Sequence, residues 1–416
     1  MDLQRIAAPL LACAFALIGC GARSLPPPLV FDVTSPLSHN TNPSVNPSDL
    51  ATLVENNNDF AFALYQKLRT QPGNFCFSPI SISSAFAMLY GGARHNTQRQ
   101  MSSALRFSLP QSRLHPAMNR LLLDLNSRSD VTLVLANSVW CQTGWQFLRP
   151  YLDLLAVNYG AGIGLLDFKG DQQGSCQTIN DWISQRTNGR ITDGCPSDLI
   201  DALTILVLTN TVFFKADWEY PFSDAGTDDS PFLLLDNTYI IVPTMYQEVP
   251  DKLGITSDYV VGELPYKGGN TSMLFLDVID SGAFTSFEAS LDASTLAEAL
   301  ASLHPDTNDV YLPKFSFSSS FRLKSALQAL GMLDAFKAMA ADFSGIDGFH
   351  DLYVNDAAHK TLISVTEKGT EGSASTVVPP QLLGSALCLD HPFIFIVRDI
   401  PTGQILFIGR VVNPLQ

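Results

Sequence analysis

The 416-residue chain is short of positive charge: 25 lysines and arginines stand against 40 aspartates and glutamates, a formal net charge of −15. That sign makes nucleic acid or an anionic membrane surface a poor partner. No basic run offsets it. Arg113, His115, Arg120 and Arg128 are scattered along one helical stretch, where a solvated face explains them better than a site for an activating polyanion. The seven cysteines are irregularly spaced and form no CxxC, so a zinc site has no support. No GxSxG, HExxH or Walker loop occurs. Gly160-Ala161-Gly162-Ile163-Gly164 fails as a dinucleotide loop because Leu165 stands where the third glycine is needed. The seven histidines are dispersed, none with a local catalytic partner. The expectation is a chain that is not an enzyme and needs no metal or cofactor.

The N-terminus has its own composition. One cation, Arg5, precedes an apolar run from Ile6 to Ile18. The run is too short to span a bilayer and suits the core of an export signal, residues 1–20. Leu17-Ile18-Gly19-Cys20 resembles a bacterial lipobox, in which Cys20 would carry a lipid; an ordinary signal peptide is the alternative. Residues 21–49 hold Pro26-Pro27-Pro28, Pro36, Pro43 and Pro47 among Ser, Asn and Thr. Such a segment buries little and is expected to be an extended, disordered tether. The expected location is extracellular or at the cell surface, with any membrane contact made through Cys20. Five cysteines remain beyond the leader, and an exported location permits disulfides without implying them.

Residues 50–416 read as one mixed domain of 46% hydrophobic overall composition. Ser48 is a candidate helix cap before Phe60, Ala61, Leu64, Tyr65 and Leu68, which recur at helical spacing. Asn74-Phe75-Cys76-Phe77-Ser78-Pro79 reads as a short strand running into a helix. Val131 to Gln142 alternates like a strand. Leu203 to Phe214 is continuously apolar, as in a strand buried on both faces. Phe393–Arg398 and Ile405–Val412, joined around Pro401-Thr402-Gly403, read as a hairpin.

The stretch from Val365 to Phe393 is the odd one. From Thr370 the even positions are Thr370, Gly372, Ala374, Thr376 and Val378, none charged or large. The odd positions, Glu371, Ser373, Ser375 and Val377, suit water. That is the pattern of a half-buried strand, set in a Gly/Ser/Thr segment that looks like a loop. A loop able to become a strand suggests a switch.

Glu367-Lys368-Gly369-Thr370-Glu371 followed by small residues resembles the reactive-loop hinge of the serpins, the serine protease inhibitor family. Leu387-Cys388-Leu389-Asp390-His391-Pro392-Phe393 resembles that family's C-terminal signature. Asn210-Thr211-Val212-Phe213-Phe214-Lys215-Ala216-Asp217-Trp218 and Asp309-Val310-Tyr311-Leu312-Pro313-Lys314-Phe315 are also similar to serpin motifs. The resemblance implies an α+β serpin fold, with three β-sheets, about nine helices and an exposed C-terminal reactive loop. It implies a monomeric suicide inhibitor that forms a covalent acyl complex with a target serine protease. Counting seventeen residues from Glu367 places the reactive bond at Leu383–Gly384, with Leu382 inside the window. Leucine there implies chymotrypsin-like, cathepsin-G-like or subtilisin-like targets. By the same resemblance Ser78, Ser81, Asn210 and His359 form a polar cluster beneath the opening sheet. Trp218, Lys314 and Glu367 sit where the loop first inserts, with Lys314 paired to Glu367. Two alternatives stay open: a non-inhibitory serpin acting as a binding or carrier module, and a cross-class inhibitor of cysteine proteases.

Overall fold

The computed structural model describes residues 33–370 and 386–416. In chain order these form α1 (Pro47–Leu68), β1 (Phe75–Phe77), α2 (Pro79–Tyr90), α3 (His95–Ala104), α4 (Gln111–Asn126), β2 (Val131–Gln142), α5 (Arg149–Tyr159), β3 (Ile163–Leu166), α6 (Gln172–Arg186) and β4 (Leu206–Asp217). Then come β5 (Thr227–Leu233), β6 (Tyr239–Ile255), β7 (Tyr259–Pro265), β8 (Thr271–Val278), α7 (Phe284–Ser290), α8 (Ala293–Ser302), β9 (His304–Pro313), β10 (Phe315–Arg322), α9 (Leu323–Ala329) and α10 (Ser344–Asp347). The chain closes with β11 (Val354–Thr366), β12 (Gly369–Thr370), β13 (Ala386–Cys388), β14 (Phe393–Asp399) and β15 (Ile405–Val411).

Two hydrogen-bonded sheets carry this mixed α+β fold among the described residues. One has six strands in the order β10-β11-β12-β4-β2-β3, with β11 also pairing β4 directly. The other runs β1-β15-β14-β8-β7-β6-β9-β13, with β5 added on β6. The two smaller sheets expected from the sequence are joined in this second path because β6 is 17 residues long. Its first part pairs β5, its middle β9 and its end β7.

Helix α2 lies between the sheets with every residue buried, as its run of Ile, Phe, Ala and Leu requires. Phe315 and Phe317 of β10 meet Phe395 of β14 at ring-centroid distances of 5.7 and 6.5 Å. Helix α6 covers the other face of the six-stranded sheet, packing Ile179 and Ile183 with Trp140 of β2, Val207 of β4 and Ala358 of β11. A disulfide joins Cys176 of α6 to Cys195, 19 residues on.

Three sequence expectations change. The disordered tether expected over 21–49 is docked over its second half. Val33 and Ile163 exchange backbone hydrogen bonds of 3.1 and 3.0 Å, Asn40 N donates to Val157 O at 2.9 Å, and His39 Nε2 meets Asn119 Oδ1 at 2.8 Å. A few anchoring groups suffice where composition alone reads as disorder. The cap of α1 is Asn46, not Ser48: its side chain accepts from Ser48 N at 3.0 Å, and Pro47 takes the first helical position, where a missing N–H costs nothing. Strand β4 starts at Leu206 rather than Leu203, because Asp201 turns the chain, accepting from Leu203 N at 2.8 Å and Thr204 Oγ1 at 3.0 Å.

Candidate functional site: a seam in the six-stranded sheet

Strands β4 and β11 run parallel and pair from Leu206/Val354 to Phe213/Leu362. Beyond that point they part, and β12 lies between them. Thr370 pairs with Val365 on one side and Ala216 on the other; Gly369 pairs with Thr366 and Asp217. The two residues after the Glu367-Lys368 turn therefore already occupy the gap as an antiparallel wedge. Gly369 is required there: its φ is +144°, and a Cβ would collide with the Ala216 carbonyl.

A clasp surrounds the wedge. Trp218 stacks on Tyr266 at 4.5 Å, its indole N–H donates to Thr366 O at 3.0 Å, and Tyr266 OH meets Thr370 Oγ1 at 2.7 Å. Backbone N–H groups of Trp218 and Phe222 donate to Lys368 O and Glu367 O, each at 2.8 Å. The buried Glu367 carboxylate accepts from Thr227 Oγ1 at 2.7 Å and Lys314 Nζ at 3.0 Å. Burial works to raise the Glu367 pKa, but its own backbone N–H, Thr227 and Lys314 outweigh that, and the net shift is downward. The carboxylate stays charged.

Below the wedge a row of polar side chains crosses the sheet, His359 and Asn210 buried and Asn137 half-buried. His359 of β11 is in register with Asn210 of β4, and Asn210 with Asn137 of β2. Ser78 N donates to His359 Nε2 at 3.1 Å, so the ring carries its proton on Nδ1, which donates to Asn210 Oδ1. Asn210 Nδ2 donates to Ser81 Oγ at 2.6 Å and to Asn137 Oδ1. Burial lowers the His359 pKa to about 3, so the imidazole is neutral near pH 7. Ser78, which caps α2, and Ser81 tie the row to that helix.

The structure thus brings together Ser78, Ser81, Asn210 and His359 in one cluster and Trp218, Lys314, Glu367, Gly369 and Thr370 in another. Gly372, Ala374, Thr376, Leu382, Leu383, Gly384 and Cys20 lie outside the described residues. Sequence reasoning missed Asn137, Thr227 and Tyr266. Asn137 carried a signal, a polar residue in the buried half of an alternating strand; the others come from distant segments with no local mark. The cations near α4 are engaged internally. Arg113 pairs with Asp49, Arg120 with Asp124 at 2.9 Å and Arg128 with Asp399 at 2.8 Å. His115 is buried, which lowers its pKa to about 4. Cys388 sits in β13, where burial pushes its thiol up to about 12, so it is not a reactive thiolate.

Comparison with known proteins gives the same reading. The family profile described as "Serpin (serine protease inhibitor)" matches residues 55–414. The chain is 35% identical over 381 residues to antithrombin-III of Ovis aries, covering 87% of this chain and 82% of that one. It is 35% identical over 374 residues to the leukocyte elastase inhibitor of Xenopus tropicalis, covering 85% and 97%. The structure of human thyroxine-binding globulin complexed with thyroxine superposes with a TM-score of 0.79 at 31% identity, covering 88% and 99%. With a family match over nearly the whole chain and relatives of this similarity, the chain belongs to the serpin family.

Proposed function

We propose that this chain inhibits a serine protease as a suicide substrate. The protease nucleophile attacks the reactive loop and forms an acyl-enzyme. The freed loop strand then enters the six-stranded sheet between β4 and β11 and carries the attached protease with it. Strand addition of this kind is an established device of the family. The supporting observation is the wedge: Gly369 and Thr370 are already paired to both neighbours, with Thr370 buried. The positions that follow on the same face, Gly372, Ala374 and Thr376, are small and uncharged and enter without burying charge. About ten inserted residues, at roughly 1 kcal/mol net per hydrogen bond, give on the order of 10 kcal/mol. That is comparable with the whole stability of a domain, and enough to distort a tethered enzyme. An uncut loop is held at both ends and cannot go in.

The proposed reactive bond is Leu383–Gly384, within one residue of Leu382, for chymotrypsin-like, cathepsin-G-like or subtilisin-like targets. The inhibitor works as a monomer, exported and held at the cell surface by a lipid on Cys20. A second reading, a carrier that does not inhibit, is favoured by the likeness to a globulin complexed with thyroxine. One gel separates them. Chymotrypsin, elastase and subtilisin are each incubated with the chain, and an SDS-resistant adduct is expected with at least one. Clean cleavage without adduct favours the carrier, and adducts only with papain-type enzymes favour a cross-class inhibitor. Thr370→Arg places a charge in the wedge and is expected to turn inhibitor into substrate; undiminished inhibition would refute the face assignment.

A further inference from the structure

Away from the wedge, a cavity of about 220 Å³ opens between the docked segment around His39, α4, α5, β2 and α6. It is smaller than the roughly 300–1,000 Å³ of a drug-sized site. Met88, Leu122 and Leu135 supply apolar wall. Most polar groups on it are engaged. Asn119 binds His39 and Asn40 O, each at 2.8 Å, and Asn137 binds Ser81, Ser84 and Asn210.

Arg186, in the last turn of α6, differs. Its guanidinium carbon lies 5.9 Å from the Trp182 ring centroid, and among the described residues it has no hydrogen bond or ion pair. The other half-buried or buried arginines are engaged: Arg128, Arg398 and Arg410 each meet a carboxylate, Arg69 meets Gln66 and Arg94 meets backbone carbonyls. In a chain with 40 acidic residues, a half-buried guanidinium left without any polar partner is unusual. The Trp182 indole N–H is also buried without an acceptor. Both groups can only donate, so a complementary ligand must accept, and Arg186 favours an anion.

We propose that this cavity binds a small amphipathic carboxylate of medium-chain fatty-acid type, its head on Arg186 and its chain along Met88, Leu122 and Leu135. Asn137 lines the same cavity and holds Asn210 and Ser81 in the seam. Occupancy therefore braces β2 against α2 and slows strand insertion; this consequence rests on the inhibitory reading above, whereas the binding site does not.

The test is calorimetric titration of octanoate into the full chain, with 1-octanol as the uncharged control. Octanoate should bind saturably, and both the exchange to octanol and Arg186→Gln should weaken binding about tenfold or more. Arg186→Lys should restore part of the affinity, and Leu135→Trp should block the cavity. No saturable binding, or equal affinity in an Arg186→Gln variant that melts like the parent, overturns the site. Equal binding of octanol and octanoate overturns the role of Arg186 even if that variant fails to fold. Octanoate should also slow adduct formation with the target protease in the parent but not in Leu135→Trp. Binding without slowing overturns the coupling to the seam. Absence of any adduct counts against the inhibitory function, leaving the calorimetric result to decide the cavity.

Discussion

The β4–β11 seam and the β8–β14–β15 ribbon are built on opposite principles. In the ribbon every pairing is antiparallel, and Phe393, Ile394, Phe395, Ile396 and Val397 are all fully buried. Parting those strands would expose apolar surface at about 25 cal/mol per Å² on both faces. The seam is parallel, a slightly weaker arrangement, and its contacts include a polar row from His359 to Asn137. A hydrogen bond between two strands can be exchanged for one to a third strand at little net cost; buried apolar area has no such substitute. On the proposed function, the same chain contains one sheet made to stay and one made to admit a guest.

The contrast can be broken most directly by cutting the loop. Cleavage should raise the melting temperature by on the order of 20 °C, from about 10 kcal/mol of new pairing. Equal melts for cut and intact chain, followed by circular dichroism, would falsify the idea of an open seam. Next in size is the ribbon. Phe395→Ala should cost about 3–5 kcal/mol and lower the urea midpoints of cut and intact chain alike. A loss confined to one form would show that the ribbon also rearranges. Lys314→Ala leaves Glu367 buried with only Thr227 as a side-chain partner and should cost the intact form about 3 kcal/mol. Adding Glu367→Gln should recover part of that loss, and a double variant no better than the single would count against the pair.

The last effect is on pH. His359 takes up a proton near pH 6.5 when unfolded but only near 3 when folded. The unfolded chain therefore binds more protons in this window. The contribution of His359 is complete above pH 6.5 and is lost as pH falls towards 3, by roughly 1.4 kcal/mol per unit. Carboxylates such as Asp277, raised to about 7 by burial, titrate in the opposite sense. The measurement is accordingly the difference between the parent and His359→Gln. Parallel stability curves for the two between pH 6.5 and 4.5 would remove His359 from the acid response.

The seam was legible in sequence as far as its parts are local. The hinge, the strand pattern of Val131–Gln142 and the motifs holding Asn210, Trp218 and Lys314 are contiguous runs. Once they matched a known family, the pairing of Lys314 with Glu367 and of His359 with Asn210 came with it. Tyr266 and Thr227 were not legible, because each is recruited by packing from a segment whose own pattern explains it fully; Asn137 was marked only by being a polar residue in the buried half of Val131–Gln142. The 17-residue β6 was not legible as one strand, since Pro243, Pro250 and Gly254 interrupt its alternation. The disulfide could not be read either; an odd set of five cysteines leaves the pairing to tertiary contact.

The bridge between Val33 and Ile163 also sets the length of a leash. A lipid on Cys20 would be joined to the folded body by the stretch from 20 to 33, which reaches at most about 45 Å when fully drawn out. Were the body to begin at Asp49, the reach would be about 100 Å. If the chain is the lipid-held inhibitor proposed above, it would patrol a thin layer over the bilayer, its β3 side nearest the anchorage, meeting proteases that graze the surface and missing those that pass farther out.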